Sequence, residues 1–147
     1  MFGFGWEPLT PEEENNVLQA IAAAELETSG EIRVRIDKWC KTDPVFKANN
    51  LFSHLEMEKT EQSNGVLIYV AMKEHKFAIV GDVGISRVVP ADFWESTREI
   101  MKSYFAKGKI VEGIEAGIAE VGVQLKKYFP HQGGDDVNEL SNEISYG

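Results

Sequence analysis

The chain is poor in the residues that form disulfides and metal centres with nitrogen or sulfur ligands. Its 147 residues include one cysteine, Cys40, and three histidines, His54, His75 and His131. A single cysteine excludes an internal disulfide and weakly favours a reducing compartment. The histidines show no ligand spacing, and Cys40 has no evident histidine partner, so the sequence favours neither a zinc site nor a thiol nucleophile.

Long hydrophobic runs and export signals are also missing. No apolar run reaches about eighteen residues, the length that a membrane-spanning helix needs. The first residues contain no basic region, no secretory apolar stretch and no small-residue cleavage site. From the sequence we expect a soluble, cytoplasmic protein without a membrane segment.

Positive charge is scarce, because 15 Lys and Arg stand against 24 Asp and Glu, for a formal net charge of −9. The acidic surplus lies in residues 1–14 and 131–147, which contain no Lys or Arg, and the middle of the chain is nearly neutral. Nucleic acids and anionic membranes are both bound through Lys and Arg. The charge pattern therefore favours neither as a partner.

The hydrophobic pattern predicts one domain over residues 10–130, with an N-terminal extension of residues 1–9 and an acidic, flexible tail of residues 131–147. Helix and strand signals follow the order α-β-α-β-β-α-α. A right-handed crossover should join the first two strands in parallel, and a hairpin should join the second and third. This order predicts an α/β fold, a three-layer α/β/α sandwich with about four helices and a small mixed sheet of three or four strands.

Several local signals support this prediction. A capping box at Thr10–Glu13 should begin the first helix, Asp43 should cap the second, and Asp92 should begin the third. A further edge strand at residues 87–89 is an option. Three glycines in the last helix should provide a surface for close packing against a neighbouring element: Gly113, Gly117 and Gly122.

Residues 64–84 carry the strongest functional signal. They contain two predicted strands and end in the sequence Gly-Asp-Val-Gly, where glycine lets the backbone approach another group closely. The predicted topology brings the starts of the first two strands and the end of the third to one edge of the sheet. That edge should gather five oxygen-bearing side chains, namely Glu31, Asn64, Asp82, Asp92 and Glu95.

Carboxylate, amide and carbonyl oxygens are hard ligands that suit Ca²⁺, Mg²⁺ or Mn²⁺. The sequence therefore predicts a divalent-cation site at this edge. Structural roles compete with this interpretation, because Asp82 can stabilise a turn, Asp92 can cap a helix and Asn64 can belong to an Asn-Gly turn. No catalytic residue is assigned, since the chain has neither a nucleophile elbow nor a phosphate loop.

A set of short segments in fixed order resembles the TPM domain family, which includes the thylakoid acid-phosphatase-like proteins. The likeness covers about residues 10–128 and rests on Ser29-Gly30-Glu31-Ile32, Asp43, Leu51-Phe52, Asn64-Gly65-Val66-Leu67, Gly81, Gly84-Ile85, Asp92, Phe105 and Gly113-Ile114. The resemblance implies an α/β/α sandwich, calcium or magnesium binding, and for some members an acid-phosphatase activity. Because the chain lacks the membrane or low-complexity tail of many relatives, it is more similar to a short soluble bacterial subgroup.

Three functions stay open at this point. The first is a metal-binding module with a regulatory or interaction role, and the second is a metal-dependent phosphatase acting on phosphate monoesters. The third is a structural domain that binds a protein partner without metal. We favour the first, because a phosphatase needs a cationic clamp and only Arg33, Arg35 and Arg87 lie near the predicted edge.

Overall fold

The structure, a computed structural model, describes residues 8–133, 140 and 142–147. Most of the predicted N-terminal extension and part of the predicted tail therefore lie outside the described residues. The α-helices of the described chain are α1 (Pro11–Glu25), α2 (Pro44–His54), α3 (Val83–Ser86), α4 (Glu95–Ala106) and α5 (Ile110–Lys126). The strands are β1 (Glu31–Asp37), β2 (Gly65–Ala71), β3 (Lys76–Gly81) and β4 (Ser145–Tyr146).

The four strands form one mixed sheet in the order β3-β2-β1-β4. β1 and β2 are parallel with Glu31 opposite Gly65, and β2 and β3 are antiparallel with Val66 opposite Gly81. The predicted crossover pairing, hairpin and sandwich fold are thus confirmed.

The fourth strand comes from the C-terminal end of the chain. Ser145 and Tyr146 pair in parallel with Arg35 and Ile36 of β1, in the region where the sequence predicts a flexible tail. Residues 87–89, where the sequence analysis allows a further edge strand, form a turn and a bend after α3.

The central strand β2 is buried on both faces, because its side chains alternate between two cores. Val66, Ile68 and Val70 face the larger core, which also contains buried residues of α1, α4 and α5. Leu67, Tyr69 and Ala71 face the smaller core beneath α2. All seven residues of β2 are buried, which explains the continuous apolar run in its sequence.

Two of the predicted helix starts are confirmed. Thr10 and Glu13 form the reciprocal capping box of α1, with backbone-to-side-chain distances of 2.9 and 3.1 Å. The Asp43 carboxylate accepts hydrogen bonds from the first backbone N–H groups of α2. Each cap stabilises its helix by about 1 kcal/mol.

The predicted helix start at Asp92 is wrong. α4 begins at Glu95, and its N-cap is Trp94, which makes no side-chain capping bond. The Asp92 carbonyl accepts the Glu95 N–H at 3.0 Å, so this segment forms a turn before the helix. The packing of Phe93 against Trp94, with ring centroids 4.7 Å apart, accompanies this later start.

Candidate functional site

The starts of β1 and β2 and the end of β3 meet at one edge of the sheet, as the sequence predicts. Glu31 is the register partner of Gly65, and the Asp82 N–H donates to the Gly65 carbonyl at 3.0 Å. The residues at this edge are mostly polar. We call it the polar rim and define it as Ser29, Glu31, residues 60–64 and Asp82.

Asp82 is the most unusual residue of the polar rim. It is only 7% exposed, and its Oδ1 accepts the Val83 N–H at 2.7 Å as the N-cap of the short helix α3. Its Oδ2 is buried and has no hydrogen-bond partner among the described residues. A buried carboxylate oxygen without a partner is costly, so this atom marks a place where water or a cation would bind favourably.

Gly84 brings α3 against the backbone of residues 62–63. A Cβ atom at this position would lie 2.3 Å from the Gln62 carbonyl oxygen and 2.4 Å from that of Ser63. Any other residue would therefore force these segments apart. The sequence analysis predicts that a glycine here lets the backbone approach another group closely. In the structure that group is the backbone of residues 62–63, whose carbonyl oxygens lie beside α3, the helix that Asp82 caps.

Asn64 connects this loop to the start of β1. It is 2% exposed, and its side-chain amide donates to the Ser29 hydroxyl at 3.3 Å. Its backbone N–H donates to the Thr60 hydroxyl at 3.2 Å, and its carbonyl accepts the Glu31 N–H at 3.3 Å. Gln62 also donates to the Ser29 hydroxyl at 3.3 Å, a contact that the sequence analysis did not anticipate.

Glu31 lies at the other side of the polar rim. The β1–β2–β3 register places it two strands from Asp82, a separation of roughly 10 Å between backbones. Its side chain is buried, and Oε1 accepts the Leu140 N–H at 2.5 Å. The carboxylate of Glu31 is therefore directed to the C-terminal segment of the chain.

Asp92 and Glu95 are exposed. Trp94, which lies between them, reaches the edge of the sheet instead. A Cβ atom on Gly81 would lie 2.9 Å from the Trp94 ring. Among the described residues, no three His, Cys, Asp or Glu side chains lie close enough together to hold a metal ion. The structure brings Glu31, Asn64 and Asp82 to one rim and leaves Asp92 and Glu95 on the surface.

Glu25, near the polar rim, has a structural role that the sequence analysis missed. Its Oε2 accepts the Ile32 N–H of β1 at 2.8 Å. Burial raises the pKa of Glu25, and the hydrogen bonds from the Ile32 backbone and the Asn142 side chain partly oppose this increase. No periodicity or motif marks this contact, because it depends on how the end of α1 lies over the sheet.

These features define a small α/β sandwich with a buried acidic residue at one sheet edge. The family model of the TPM domain matches residues 7–124. The chain therefore belongs to the TPM domain family. None of the helices in the described part of the chain has the length and apolar content needed to cross a bilayer.

The solved structures that are similar to the chain include the following two. The BA42 protein of the psychrophilic bacterium Bizionia argentinensis is 44% identical, with a TM-score of 0.91 over 99% of this chain and 100% of that one. The N-terminal domain of the cg2496 protein of Corynebacterium glutamicum is 10% identical, with a TM-score of 0.64 over 98% of this chain and 89% of that one. This second similarity concerns the fold alone. No curated protein matches the chain.

Proposed function

We propose that this TPM domain binds a divalent cation, Ca²⁺ or Mg²⁺, with Mn²⁺ as a further candidate, at the polar rim. The observation that carries the proposal is the buried Oδ2 of Asp82, which has no hydrogen-bond partner among the described residues. A cation would give this oxygen a favourable partner and would offset the cost of burying a carboxylate.

The oxygen donors around Asp82 fit a hard cation. Besides the carboxylate, the rim offers backbone carbonyls of residues 62–63 and the side-chain amide of Asn64, all of which are ligand types that Ca²⁺ accepts. Mg²⁺ commonly binds through one or two carboxylates and retains several waters. Because the described rim supplies few carboxylates, we expect weak binding, with a Kd of roughly 0.1–1 mM.

A regulatory or interaction role follows from the position of Asp82. The residue caps α3, and α3 lies against the loop that Asn64 connects to β1. A cation bound to Asp82 would stabilise these segments together and would reduce the negative charge of the rim. Both changes alter the surface that a partner molecule would meet.

The test is a titration of Ca²⁺ and of Mg²⁺ into chelator-treated protein, followed by calorimetry and amide chemical shifts. Asp82→Asn removes the charge and keeps a side chain that can cap α3. We expect this variant to bind at least about tenfold more weakly, because one charged ligand is lost. In the wild type, the largest shift changes should occur at residues 60–64 and 82–85.

The matched control is Asp43→Asn, since Asp43 also caps a helix, α2, but at the opposite end of the sheet. This variant should bind the cation as the wild type does. The proposal would be contradicted if the wild-type protein gave neither heat of binding nor changes in amide chemical shift at millimolar cation. If Asp82→Asn and Asp43→Asn weakened cation binding equally, the lost affinity would reflect the net charge of the protein rather than a site at Asp82.

A metal-dependent phosphatase is the second candidate, and one observation bears on it. Arg87 is the only basic residue between Asp82 and Glu95, and it is exposed. It could hold a phosphate if Asp82 activated water beside a cation. Aryl-phosphate hydrolysis by the wild type but not by Asp82→Asn would favour this candidate, whereas equal rates would point to a contaminant.

A further inference from the structure

Three large apolar side chains are exposed where β1 leads into α2. Trp39 is 54% exposed, Val45 is 53% exposed and Phe46 is 59% exposed. Trp39 belongs to the connection after β1, and the other two residues lie in the first turn of α2. Exposed aromatic side chains grouped in this way mark a surface that meets an apolar phase or partner.

Four lysines lie in the connections that follow β1 and β2 and in the first turns of α2. Lys38 lies 5.4 Å from the Trp39 ring centre, and the Lys73 N–H donates to the Lys38 carbonyl at 3.1 Å, which brings the β2–β3 connection beside the β1–α2 connection. Lys41 and Lys47 lie in the same stretch of chain. We call this surface the lysine–aromatic corner and define it as Lys38, Trp39, Lys41, Val45, Phe46, Lys47 and Lys73.

The acidic groups next to this corner already have partners. Asp37 accepts from the Arg35 guanidinium at 2.7 Å and from the Tyr69 hydroxyl at 2.8 Å. Asp43 accepts the N–H groups that begin α2, and Glu74 accepts the Cys40 N–H at 2.6 Å. Arg35 balances Asp37, and the four lysines of the corner outnumber the carboxylates of Asp43 and Glu74, so the local charge is positive although the whole chain carries a formal net charge of −9.

We propose that the lysine–aromatic corner binds the surface of an anionic lipid bilayer. Trp39 and Phe46 would enter the headgroup region, where aromatic side chains are stable. The lysines would place their ammonium groups among the lipid phosphates while their methylene chains lie along the apolar part of the interface. This peripheral contact requires no membrane-spanning segment.

The composition of the corner favours a bilayer over a protein partner. Protein interfaces are enriched in Arg and depleted in Lys, whereas every cation defined in the corner is a lysine. The acidic surplus, which does not favour a membrane in the sequence analysis, lies in residues 1–14 and 131–147, outside the residues that define the corner. The acidic first turn of α1 lies on the opposite face of the sheet from α2, because the two helices cover different cores.

The test is co-sedimentation with vesicles of phosphatidylcholine alone and with vesicles containing about 30% phosphatidylglycerol, in EDTA so that the result is independent of the cation proposal. We expect the wild type to partition to the anionic vesicles at least about tenfold more strongly. The double variant Trp39→Ser, Phe46→Ser should lose roughly tenfold in partitioning. The triple variant Lys41→Gln, Lys47→Gln, Lys73→Gln should lose roughly fivefold per lysine.

Matched variants control for general loss of apolar surface and of charge. Leu26→Ser with Val123→Ser removes two side chains that are 70% and 53% exposed outside the corner. Lys59→Gln, Lys126→Gln, Lys127→Gln changes the net charge as much as the corner variant does. These controls should bind as the wild type does, and thermal unfolding checks that every variant is folded.

Several outcomes would overturn the proposal. One is wild-type protein that stays unbound, or that binds both vesicle types equally. A second is control variants that lose as much binding as the corner variants. A third is wild-type protein that binds soluble poly-glutamate through the corner but does not bind vesicles, which would identify an acidic protein partner instead.

Discussion

Tyr69 shows how one side chain joins two neighbouring strands of the sheet. It is fully buried in β2, and its hydroxyl donates to Asp37 Oδ2 at 2.8 Å while Arg35 donates to Asp37 Oδ1. Burial, then hydrogen bonding to Cys40 and to Asp37, raises the pKa of Tyr69. The phenol is therefore held as a neutral donor, and it fixes the end of β1 against β2.

Replacing Tyr69 by Phe keeps the ring and removes only the hydroxyl. We expect the free energy of unfolding to fall by about 1.5–3 kcal/mol, because a hydrogen bond to a charged acceptor is lost in a buried place. Urea denaturation monitored by circular dichroism measures this change. The control is Tyr104→Phe, because Tyr104 is 36% exposed. Loss of this hydroxyl should change the free energy of unfolding by less than about 0.5 kcal/mol. Equal stability of Tyr69→Phe and wild type would refute this role.

Among the helices, α4 and α5 approach each other through glycines of α5. A Cβ on Gly113 would lie 2.7 Å from the Phe105 ring, and one on Gly117 would lie 2.6 Å from the Met101 sulfur. The sequence predicts this close-packing role from the glycines alone, and the structure confirms it. Gly122 has a similar role toward α1, since its Cβ would lie 2.9 Å from that of Ala24.

Gly117→Ala tests the packing between these helices. Alanine improves helix propensity by about 1 kcal/mol, but an added methyl group in a full core costs about 1–3 kcal/mol. Because Met101 is completely buried and has little room to move, we expect the packing cost to dominate and the melting temperature to fall.

The double-mutant cycle with Met101→Ala provides the control for this prediction. Met101→Ala by itself should cost about 2–5 kcal/mol through the cavity that it creates. In that background Gly117→Ala should become neutral or stabilising, since the methyl group then fills space. If the two substitutions were additive, the contact would not explain the glycine.

On the scale of the whole molecule, negative charge accumulates between α1 and α5. Burial, then repulsion by Glu112 and Glu13, raises the pKa of Glu115. A carboxyl group whose folded-state pKa is raised favours the folded state when it is protonated. This stability is fully present below the unfolded-state pKa and is lost as the pH rises through the folded-state pKa.

Glu115→Gln should therefore stabilise the protein at pH 7, and this gain should shrink as the pH falls toward the range in which glutamate carboxyl groups become protonated, about pH 4. The expected gain at pH 7 is about 0.2–0.5 kcal/mol, the size of one like-charge pair on a helix. Thermal unfolding over this pH range measures it. Glu58→Gln, at an exposed glutamate outside α1 and α5, is the control. A gain that does not depend on pH would contradict the electrostatic explanation.

Some parts of the fold could be predicted because their causes are local. The caps at Thr10 and Asp43 depend on residues two or three positions apart, and the apolar pattern of β2 reflects burial on both faces. Asp92-x-x-Glu95 has the same local form as a capping box, yet α4 begins later. There Phe93 packs against Tyr128, which lies far along the chain after α5, and such a contact can outweigh a cap of about 1 kcal/mol.

The sequence by itself determined the family, the layers of the sandwich, the order of the first three strands and the edge at which Glu31, Asn64 and Asp82 meet. Only the tertiary structure decided that Ser145–Tyr146 complete the sheet, that Asp82 keeps a buried oxygen without a described partner, and that Lys73 lies beside the connection that contains Lys38 and Trp39. The reason is physical. Periodicity and caps act over a few residues, whereas β4 pairing, side-chain burial and local charge depend on segments that lie far apart along the chain.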